Sequence, residues 1–598
     1  MITRMKKLLL AARTSEREKV LEVLRFSEVV HVEPAEPAQV KVPANVNEAL
    51  EDCFRALNLL SQITVKCGGD KLATPGTPTR VVEETLSHNR AIPETRDKIA
   101  ALNRELEEIA PWGELGLKDI AVLKESGLNV SLFKGPLDAY ESIEAEATSL
   151  VKAEAESSLF VAVSRTEIKT SDKLTAVALP VREMAQIRDE ILACQRIVAE
   201  HESALECLAL RRDDLEKHYR KLLNRKRYAE VESGVHNAEE IFVLTGWCPE
   251  DAVDNLQKAF EDAVVNVGMN FEDPGEGDMP PTSLKNSPWA SSIAPLYDFM
   301  GLTPSYNEPD TSGLFLSMLT VFAAFLIADA GYGLLVILPL LFAYKPLVRR
   351  GADPQFLRLG IFLFGGAFVY GVITNAWFGE TYYLIDSNQF NPETKNGSLL
   401  LKGLCFLMGT AHLTMAHLIK LRRRKIDLSI LGEAGWIVFL WAMYGLICQL
   451  ILGSAFVLPT EWVVPMFKIS LALILLFTAP SFNIFKSALA GFLSILQNAS
   501  SAFSDVLSYI RLWAVGLAGG KMAQAFNNIA AMMPSVTLMG LSLPLLKLPI
   551  WIVGHGINII LGIIGILAHG VRLNLLEFSN HLELDWAGRK YDPFKEIR

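Results

Sequence analysis

The feature that most constrains this chain is a series of long apolar stretches in its second half. Each stretch is long enough to cross the hydrocarbon core of a membrane as one helix. Six of them run over residues 357–379, 399–420, 432–457, 462–480, 504–533 and 546–580. The first 310 positions are instead rich in Glu, Asp, Lys and Arg, so the chain divides between two solvents. We predict a soluble region over 1–290, a linker over 291–312 and an all-α transmembrane domain over 313–598.

A further apolar stretch, at 313–344, is too long for one crossing and is interrupted by ADAGYG. A single crossing from a cytosolic N-terminus would leave the basic loop KPLVRRGADPQFLR outside, against the positive-inside tendency. If the stretch instead forms two short helices with Asp329 and Tyr332 at the outer tip, this loop lies in the cytosol. The next basic loop, KLRRRKID, then also lies in the cytosol. The acidic loop that then falls outside contains Glu380, Asp386 and Glu393. We therefore predict about eight membrane helices with both termini cytosolic.

The soluble region begins with a pattern typical of a small α/β lobe. KKLLLAARTSEREKVLEVLRFSEVVHVEP predicts a strand, a helix capped at Thr14 or Ser15 and a second strand ending at Pro34. The stretch from LKDIAVLKES through SSLFVAVSRTE contains strand-like pieces and predicts a second lobe. EEIFVLTGWCPEDAVDNLQKAF predicts a strand, a turn and a helix that return to the first lobe.

Between the lobes, apolar positions recur at about 3.5 residues over 182–228, which predicts an antiparallel coiled-coil hairpin. The main seam, interrupted by His201 and Arg212, consists of Met184, Ile187, Ile191, Cys194, Val198, Leu205, Leu208, Leu215 and Leu222. The shorter matching seam upstream consists of Ile99, Leu102, Leu106 and Ile109. Such a seam is usually structural, and a lever or strut is the corresponding role. The fold class is therefore mixed: cytosolic α/β lobes joined by this hairpin, then a helical membrane domain.

Composition and motifs exclude several classes of function. The net charge is −10 without a basic patch, which argues against nucleic acid as a partner. The seven cysteines form no C-x-x-C pair, so we predict neither a metal site nor a disulfide framework, and no cofactor. The nearest approach to a nucleotide-binding loop, GLAGGK ending at Lys521, lacks the spacing and the hydroxyl. We predict that the chain is not itself an enzyme.

Arg511 lies in the middle of the apolar run LSYIRLWAVGLA. A guanidinium stays charged at any reachable pH, so its burial at membrane depth costs several kcal/mol. At 100° per residue, this arginine belongs to a polar or small-residue stripe along the seventh predicted helix, which must face protein or water. The stripe comprises Ser501, Ser504, Asp505, Ser508, Arg511, Val515 and Gly519.

The eighth predicted helix carries a matching stripe and a second arginine. Within about a third of its circumference lie His555, Asn558, Gly562, Gly565, His569 and Arg572. Close helix packing and snorkelling of Arg572 are the structural alternatives. Two arginines on matched faces favour ion translocation, because an arginine opposite a carboxylate keeps that carboxylate ionised. No carboxylate deep in the membrane part of this chain is placed to bind and release the translocated ion. Asp329 is at a turn, and both Asp505 and Glu433 are near the cytosolic face. The carboxylate then belongs to another subunit.

Several motifs together resemble the a subunit, or subunit I, of rotary V-type ATPases in the bacterial or archaeal form. They are LSYIRLWAVGLA, HGVRLNLLEFSNHLE with the terminal YDPF, ADAGYG, FVYGVITNAWFGE, GTAHL, PPTSLKN and GWCPE, and they span essentially the whole chain. The resemblance implies a stator whose membrane half faces a ring of proteolipid subunits. It also implies a soluble arm that binds peripheral stalk subunits and the central stalk cap, and a location in the plasma membrane in contact with lipid.

The resemblance further implies roles for individual residues. Arg511 and Arg572 would form the barrier between two offset half-channels. Asp505, Ser508 and Glu433 would line the cytosolic path, and His555, Asn558 and Lys521 the outer one, with His569 on the same face as Arg572. Two positions depart from the family. Asp505 stands where Asn, Ser or His is common, and Gly519 stands where eukaryotic relatives tend to carry histidine.

Two other functions remain open from the sequence. An ion-coupled secondary transporter would show inverted repeats and broken helices at mid-membrane, whereas this chain has one broken hairpin and no second copy. A membrane-anchored coiled-coil scaffold would leave the two arginines unexplained. Whether the ion is H⁺ or Na⁺ is also open, as is the direction of coupling to ATP.

Overall fold

A computed structural model gives the fold of most of the chain. It describes residues 1–34, 42–64, 76–153, 158–166, 168, 174–238, 240–382, 390, 392, 394–424, 427–453, 456–480, 483–534, 536–538, 541–543 and 546–597. Cys67, Asp386 and Glu393 lie outside these residues. Two compact units interleave along the chain. We call Leu9–Gly246, Leu256–Met269 and Phe594–Arg598 the arm unit, and Met1–Leu8, Trp247–Asn255 and Asn270–Pro593 the membrane unit. The predicted domain limits at 290 and 313 stay predictions.

The predicted strand–helix–strand opening of the chain is confirmed. Strand β1 covers Met5–Arg13, helix α1 Arg17–Ser27 and strand β2 His31–Glu33, just before Pro34. The predicted cap is wrong: Thr14 and Ser15 lie in a short 3-10 turn, and Glu16 precedes α1 without a side-chain cap.

The return to the first lobe is confirmed by a five-stranded sheet. Later strands that join β1 and β2 are β7 (His236–Ala238), β8 (Ile241–Pro249) and β9 (Gly268–Glu272), with α7 (Val253–Asp262) between the last two. The order is β2-β8-β1-β9, and β7 pairs with β8. Val20, Leu21 and Leu24 of α1 are buried, which gives this lobe its apolar core.

Long helices form the middle of the arm unit. They are α2 (Ala44–Ser61), α3 (Pro78–Ile109), α5 (Met184–Ala209) and α6 (Arg212–Ser233). The upstream seam packs against Met184, Ile187 and Ile191 as predicted. The pairs His88 with His201 and Lys98 with Glu190 show that α3 and α5 run antiparallel, because one residue number falls as the other rises. The predicted seam over 182–228 is divided, since α5 ends at Ala209 and α6 begins at Arg212. A supercoiled hairpin stays a prediction.

The stretch between α3 and α5 forms a second small sheet, as predicted. Its elements are α4 (Leu117–Glu125), β3 (Asn129–Gly135), β4 (Ala147–Lys152), β5 (Ser158–Ser164) and β6 (Thr175–Val177). The strand order is β4-β5-β3-β6, and β3 is antiparallel to β5 with Phe133 opposite Phe160. The stretch begins with a helix, because the apolar residues of LKDIAVLKES follow a helical spacing, and its strand-like pieces come after it.

The membrane unit is built almost entirely of helices. A short helix, α8 (Ala294–Met300), precedes them. The apolar helices are α9 (Ser312–Ile327), α10 (Ala330–Arg349), α11 (Pro354–Ile373), α12 (Lys395–Arg423), α13 (Ser429–Ile447), α14 (Thr460–Phe477), α15 (Ile484–Ser508), α16 (Ile510–Met532) and α17 (Lys547–Gly565). Among the described residues, six helices are long and apolar enough to cross a membrane, and α9 is shorter. The split of 313–344 into two helices is confirmed, whereas a total of eight crossings stays a prediction.

The predicted seventh helix, starting near 504, is wrong in its limits. Helix α15 already begins at Ile484 and ends at Ser508, and α16 begins at Ile510 after a one-residue break at Tyr509. The start was missed because Lys486, Gln497 and several serines lower the mean hydropathy of this segment. The stripe through Arg511 therefore crosses two helices rather than one.

The eighth predicted helix is continuous but irregular. Helix α17 continues through two π-helical segments, Ile566–Gly570 and Leu573–Phe578, into α18 (Ser579–Leu582). We call Lys547–Leu582 the last helix. A π-helical turn holds more residues than an α-helical turn, so the face predicted at 100° per residue is not maintained beyond Gly565.

Candidate functional site

The turn between α9 and α10 is held by one carboxylate, that of Asp329. Ala328 has a φ of 50°, a left-handed conformation that residues other than glycine rarely adopt. The Asp329 side chain caps α10 by accepting from the backbone N–H of Tyr332 at 3.1 Å. It also accepts from the backbone N–H groups of Phe378 and Gly379, each at 2.9 Å. Asp329 therefore fixes the loop after α11 against the start of α10.

A polar group next to this turn, the Tyr332 cluster, comprises Tyr332, Asn527, His555 and Asn558. The Tyr332 hydroxyl lies 2.7 Å from Nδ1 of His555 and accepts from Nδ2 of Asn558 at 3.0 Å. Asn558 also donates to the Gly519 carbonyl at 2.9 Å. His555 Nε2 lies 3.2 Å from Oδ1 of Asn527. The predicted residues His555 and Asn558 are thus brought together through an uncharged phenol.

Two cavities, one lined by members of the Tyr332 cluster and one by Asp329, contain the remaining predicted residues of this region. A cavity of about 280 Å³ is lined by Tyr332, Gly519, Asn558 and His569, among others. A smaller one, of about 70 Å³, is lined by Asp329, Glu380 and Lys521 with their neighbours. His569 and Lys521 therefore line different cavities, although both lie in the same part of the membrane unit.

A second polar group joins four helices, and we call it the histidine–carboxylate chain: Glu433, His417, His581 and Asp505. Nδ1 of His417, on α12, lies 2.8 Å from Oε2 of Glu433 on α13. Nε2 of the same histidine lies 3.1 Å from Nδ1 of His581, on the last helix. Nε2 of His581 lies 3.1 Å from Oδ2 of Asp505 on α15. Four titratable side chains are therefore connected in a single row.

Two cations hold one end of the histidine–carboxylate chain. Lys420 Nζ and Arg424 Nη2 lie 3.2 and 3.0 Å from Oε1 of Glu433, whose side chain is only 6% exposed. A buried carboxylate needs such partners, because burying an unpaired charge costs several kcal/mol. The positive side chains therefore keep Glu433 ionised at this depth.

A cavity of about 200 Å³ runs along the histidine–carboxylate chain. All four members of the chain line it, together with Ser501 and Glu583. Ser508, which the sequence placed on the same path, is not among the lining residues, and its hydroxyl donates to the Ser504 carbonyl at 3.0 Å. The cavity is polar and large enough to hold several water molecules.

The two predicted arginines lie near a buried carboxylate, Glu577. Arg572 Nε is 3.7 Å from Oε1 of Glu577, and the exposed fractions of the two side chains are 51% and 4%. Glu577 also interacts electrostatically with Arg511 and Asp505. Among the described residues, neither Nη1 of Arg511 nor Oε2 of Glu577 has a hydrogen-bond partner, although both atoms are buried. Buried polar atoms are nearly always paired, so this region is one that a further polar group can complete.

Along two segments of the membrane unit, an arginine separates the two polar groups. On α15 and α16, Asp505 precedes Arg511 and Asn527 follows it. On the last helix, Asn558 precedes Arg572 and His581 follows it. At 1.5 Å per residue, these two residues lie roughly 20 and 13 Å from Arg572. The same order, polar group, arginine, polar group, therefore occurs twice.

No protein-family profile matches the chain, but individual relatives match it over its full length. V-type ATP synthase subunit I of Borreliella burgdorferi is 27% identical over 627 residues, covering 100% of both chains. V-type ATP synthase subunit I 1 of Treponema pallidum is 28% identical over 643 residues, again with 100% coverage of both. The chain is thus similar over its whole length to subunit I of V-type ATP synthases. The resemblance inferred from the sequence motifs is confirmed.

More distant relatives cover less of the chain. A-type ATP synthase subunit I of Methanocaldococcus jannaschii is 22% identical over 480 residues, or 73% of this chain and 67% of that one. A crystal structure of the cytoplasmic N-terminal domain of subunit I, homolog of subunit a, of V-ATPase covers 44% of this chain at 17% identity. Its TM-score is 0.20.

Sequence reasoning missed four residues of the site: His417, Asn527, Glu577 and His581. The two histidines were hidden because their helices are far apart in sequence: His417 and His581 are separated by 164 positions. Glu577 follows Arg572 by five residues, a spacing that reaches the same side of the helix only through the π-helical turn. A signal was present for His581, since SNHLE places polar residues at the end of an apolar helix.

Proposed function

We propose that this chain is the stator subunit of a rotary V/A-type ATPase and carries two half-channels for H⁺ or Na⁺ that face a ring of proteolipid subunits. The observation that carries this proposal is the repeated order along α15–α16 and the last helix. In both segments an arginine lies between two polar groups that have no shared member. Ions could then enter from either side without a continuous path across the membrane.

The two arginines supply the chemistry of the barrier. Each ring subunit presents a carboxylate that binds the ion, and rotation brings it past the stator. A permanently charged guanidinium in a region of low dielectric favours the ionised carboxylate and so expels its ion. The unpaired Nη1 of Arg511 supports this role, because it leaves donor capacity for an incoming acceptor. Arg572, half exposed on the last helix, offers a second such donor.

The histidine–carboxylate chain would serve as the cytosolic half-channel and the Tyr332 cluster as the outer one. This assignment rests on the basic loops at 345–358 and 420–427, which favour the cytosolic side, and on Lys420 and Arg424 at one end of the chain. Both termini would then be cytoplasmic and the protein a multi-pass protein of the plasma membrane. Ser508 would belong to the margin of the cytosolic path, and Lys521 and His569 to the margin of the outer path.

The surface of the last helix suits contact with the ring and with lipid. Apolar side chains that stay exposed within the membrane unit include Ile552, Val553, Ile557, Ile560, Leu561, Ile563, Ile564 and Leu567. An exposed apolar face of this size on a membrane helix needs an apolar neighbour. The proteolipid ring and the surrounding lipid are the neighbours that the proposal implies.

The arm unit would hold the membrane unit against torque. Its antiparallel helices α3 and α5 form a long strut, and peripheral stalk subunits and the central stalk cap are the proposed partners. Moving one charge through 100 mV is worth about 2.3 kcal/mol, so several ions must be coupled to each ATP. ATP chemistry would occur in other subunits, and this chain would have no catalytic residue, cofactor or metal.

The proposal is tested by ATP-driven ion uptake into inverted vesicles that contain the assembled complex. Arg511→Ala, compared with wild type at matched assembly, is expected to abolish uptake while the ATP-hydrolysing head stays bound. Arg349→Ala is the control, since this arginine is exposed at the end of α10. Uptake equal to wild type in Arg511→Ala would contradict the ion-barrier role and favour the scaffold function. Uptake by the isolated chain, without the other subunits, would favour the secondary transporter.

A further inference from the structure

We infer that the arm unit contains a peptide-docking site, and that residues 594–597 of the same chain, which we call the tail, occupy it. The docked tail anchors the end of the last helix, which carries Arg572, against mechanical load. The docking site does not depend on the proposed function, whereas the load-bearing role rests on it.

Phe594 is the apolar anchor of the tail. Its side chain is only 2% exposed, and its ring centroid lies 6.3 Å from that of Tyr228 on α6. The backbone N–H of Phe594 donates to the Val30 carbonyl, just before β2, at 2.7 Å. A buried aromatic ring contributes a large apolar area and packs favourably on a second ring at this separation. Phe594 therefore fixes the start of the tail in the first lobe.

Main-chain hydrogen bonds hold the other end of the tail. The side-chain amide of Asn224, on α6, accepts from the backbone N–H of Ile597 at 2.8 Å and donates to the carbonyl of the same residue at 3.0 Å. One amide thus pairs with both main-chain groups of one residue, as a neighbouring strand does. Glu596 adds an ion pair with Arg25 of α1 at 3.4 Å, while Lys595 is exposed. A buried side chain combined with main-chain pairing is a common way to bind an extended peptide.

The docking site adjoins an open cleft, which allows the tail to leave without unfolding of the lobe. The cleft has a volume of about 380 Å³, lies between α1 and α6, and is bordered by Arg25, Asn224, Tyr228 and Glu596. The Glu596 side chain stays 47% exposed. Charged side chains of this kind are stable in contact with water, so they do not need the tail to cover them. The site can therefore be emptied and filled again.

Upstream of the tail, residues 585–591 form a strap on the membrane unit. Gly588 donates its backbone N–H to the Thr303 carbonyl at 3.0 Å. Tyr591 donates its backbone N–H to the Thr282 carbonyl at 3.1 Å. At Gly588 the approach is so close that a Cβ would lie 2.1 Å from a neighbouring carbonyl oxygen. The strap is therefore fixed to the membrane unit at several points.

The connection between the strap and the tail is too short to form a slack loop. Main-chain hydrogen bonds hold the strap at Tyr591 and the tail at Phe594, three residue steps later. Three steps of fully extended chain span at most about 11 Å, and Pro593 restricts one backbone dihedral of this connection. A force on the last helix therefore reaches the docked tail through the strap. Under the proposed function, the turning ring exerts such a force, and the docked tail opposes it.

The docking is tested by hydrogen exchange in the complete complex, with a chain that stops after Pro593. Exchange of the amides around Val30 and along α6 is expected to rise severalfold. Phe594→Ala is expected to have the same effect, and Lys595→Ala, at the exposed neighbour, to have none. If Phe594→Ala prevents assembly, Ile597→Pro replaces it, since proline lacks the N–H that Asn224 accepts.

A synthetic peptide with the sequence of residues 592–598, DPFKEIR, completes this test. It is expected to restore the protection of the truncated chain when added at about 1 mM, because a tethered tail has an effective concentration of this order. Exchange that truncation leaves unchanged, or that the peptide does not restore, would overturn the docking site.

The load-bearing role is tested in liposomes that contain the complex, with ATP hydrolysis and membrane potential measured together. A voltage-sensitive dye reports H⁺ and Na⁺ transport alike. At matched assembly and equal ATP hydrolysis, the truncated complex is expected to reach a potential at least twofold lower than wild type. Lys595→Ala is expected to keep the wild-type potential. The free peptide is expected not to restore the potential, because an untethered peptide fills the site but transmits no force.

The outcomes separate this inference from the proposed function. Restoration of the potential by the free peptide, or a wild-type potential in the truncated complex, would overturn the load-bearing role and leave the proposed function intact. ATP hydrolysis without any potential in the wild-type complex would contradict the proposed function itself.

Discussion

In the arm unit, Arg96 pairs with Glu202 at 2.7 Å while their side chains stay 62% and 50% exposed. In the membrane unit, Glu433 forms ion pairs with Lys420 and Arg424, and only 6% of its side chain is exposed. Both regions pair a glutamate with basic side chains, but the contribution of the ion pair to the free energy of folding differs between them. An exposed ion pair contributes about 0–1 kcal/mol, because water competes with each partner. A buried ion pair carries a desolvation penalty of several kcal/mol per ion, so its presence points to function.

The largest expected effect in this comparison comes from Glu433→Gln. The substitution leaves Lys420 and Arg424 facing a buried neutral group, so we expect a loss of about 3 kcal/mol in stability. Ion uptake is expected to fall at least tenfold, since the chain loses its terminal carboxylate. Thermal unfolding and ATP-driven uptake of the assembled complex measure the two effects.

The matched control for that substitution is Glu583→Gln. Glu583 also pairs with Lys420, at 2.6 Å, but its side chain is 70% exposed. Its loss is expected to change stability by less than about 1 kcal/mol. Equal destabilisation by the two substitutions would show that burial does not determine how much each glutamate contributes to stability.

A smaller effect is expected from Tyr332→Phe. The hydroxyl accepts from Asn558 and lies 2.7 Å from Nδ1 of His555, so its removal leaves two polar groups without their partner. The expected cost is about 1–2 kcal/mol. Because the Tyr332 cluster orients side chains and holds no excess charge, uptake is expected to decrease severalfold rather than vanish. Tyr382→Phe, at an exposed tyrosine, is the control. Complete loss of uptake in Tyr332→Phe would mean that the hydroxyl itself carries ions.

A still smaller effect is expected in the arm unit, at His88. Burial and the neighbouring His201 lower the pKa of His88 from 6.5, and Glu84 partly opposes them. The unfolded form therefore takes up a proton more readily than the folded form, and the stability of the helix pair α3–α5 falls as the pH drops below 6.5. Hydrogen exchange of α3 amides in the complex, corrected for intrinsic rates, measures this. In His88→Gln the pH dependence is expected to weaken, and an unchanged profile would assign it to other groups.

The smallest effect is expected from Arg96→Ala. Both partners are exposed, so the predicted change in stability is at most about 0.5 kcal/mol, and uptake is expected to stay at the wild-type level. A thermal unfolding curve measured beside that of Glu433→Gln checks the contrast. A loss of 2 kcal/mol or more, as an order of magnitude typical of buried groups, would mean that the strut depends on this pair.

Much of the fold could be predicted from local pattern. The opening strand, helix and strand, the second sheet and the break after Ile327 follow from hydrophobic period and turn residues, which act over a few positions. The start of α15 could not be found in this way. Ser494, Asn498 and Ser501 of this helix line a cavity inside the membrane unit, whereas a hydropathy window counts every polar residue as if it faced lipid.

The candidate site, too, could be predicted from the sequence only in part. Arg511 and Arg572 could be identified from the sequence, because a permanent charge within an apolar stretch is costly wherever the helix packs. Ser508 was placed on the polar path by helical spacing, but its hydroxyl is bonded to its own helix. The partners of Asp505 and Glu433 depend on which faces of four helices meet, and no local pattern contains that information.

By itself, the sequence determined the division into a charged and an apolar half, the break at ADAGYG and the two arginines, since each depends on the chemistry of neighbouring residues. Only the tertiary structure decided that His417 and His581 come together from helices 164 residues apart. It also decided that Tyr509 ends one helix and that π-helical turns bring Glu577 near Arg572. These features arise from packing between distant segments, where the free energy of a contact depends on all of the elements that surround it.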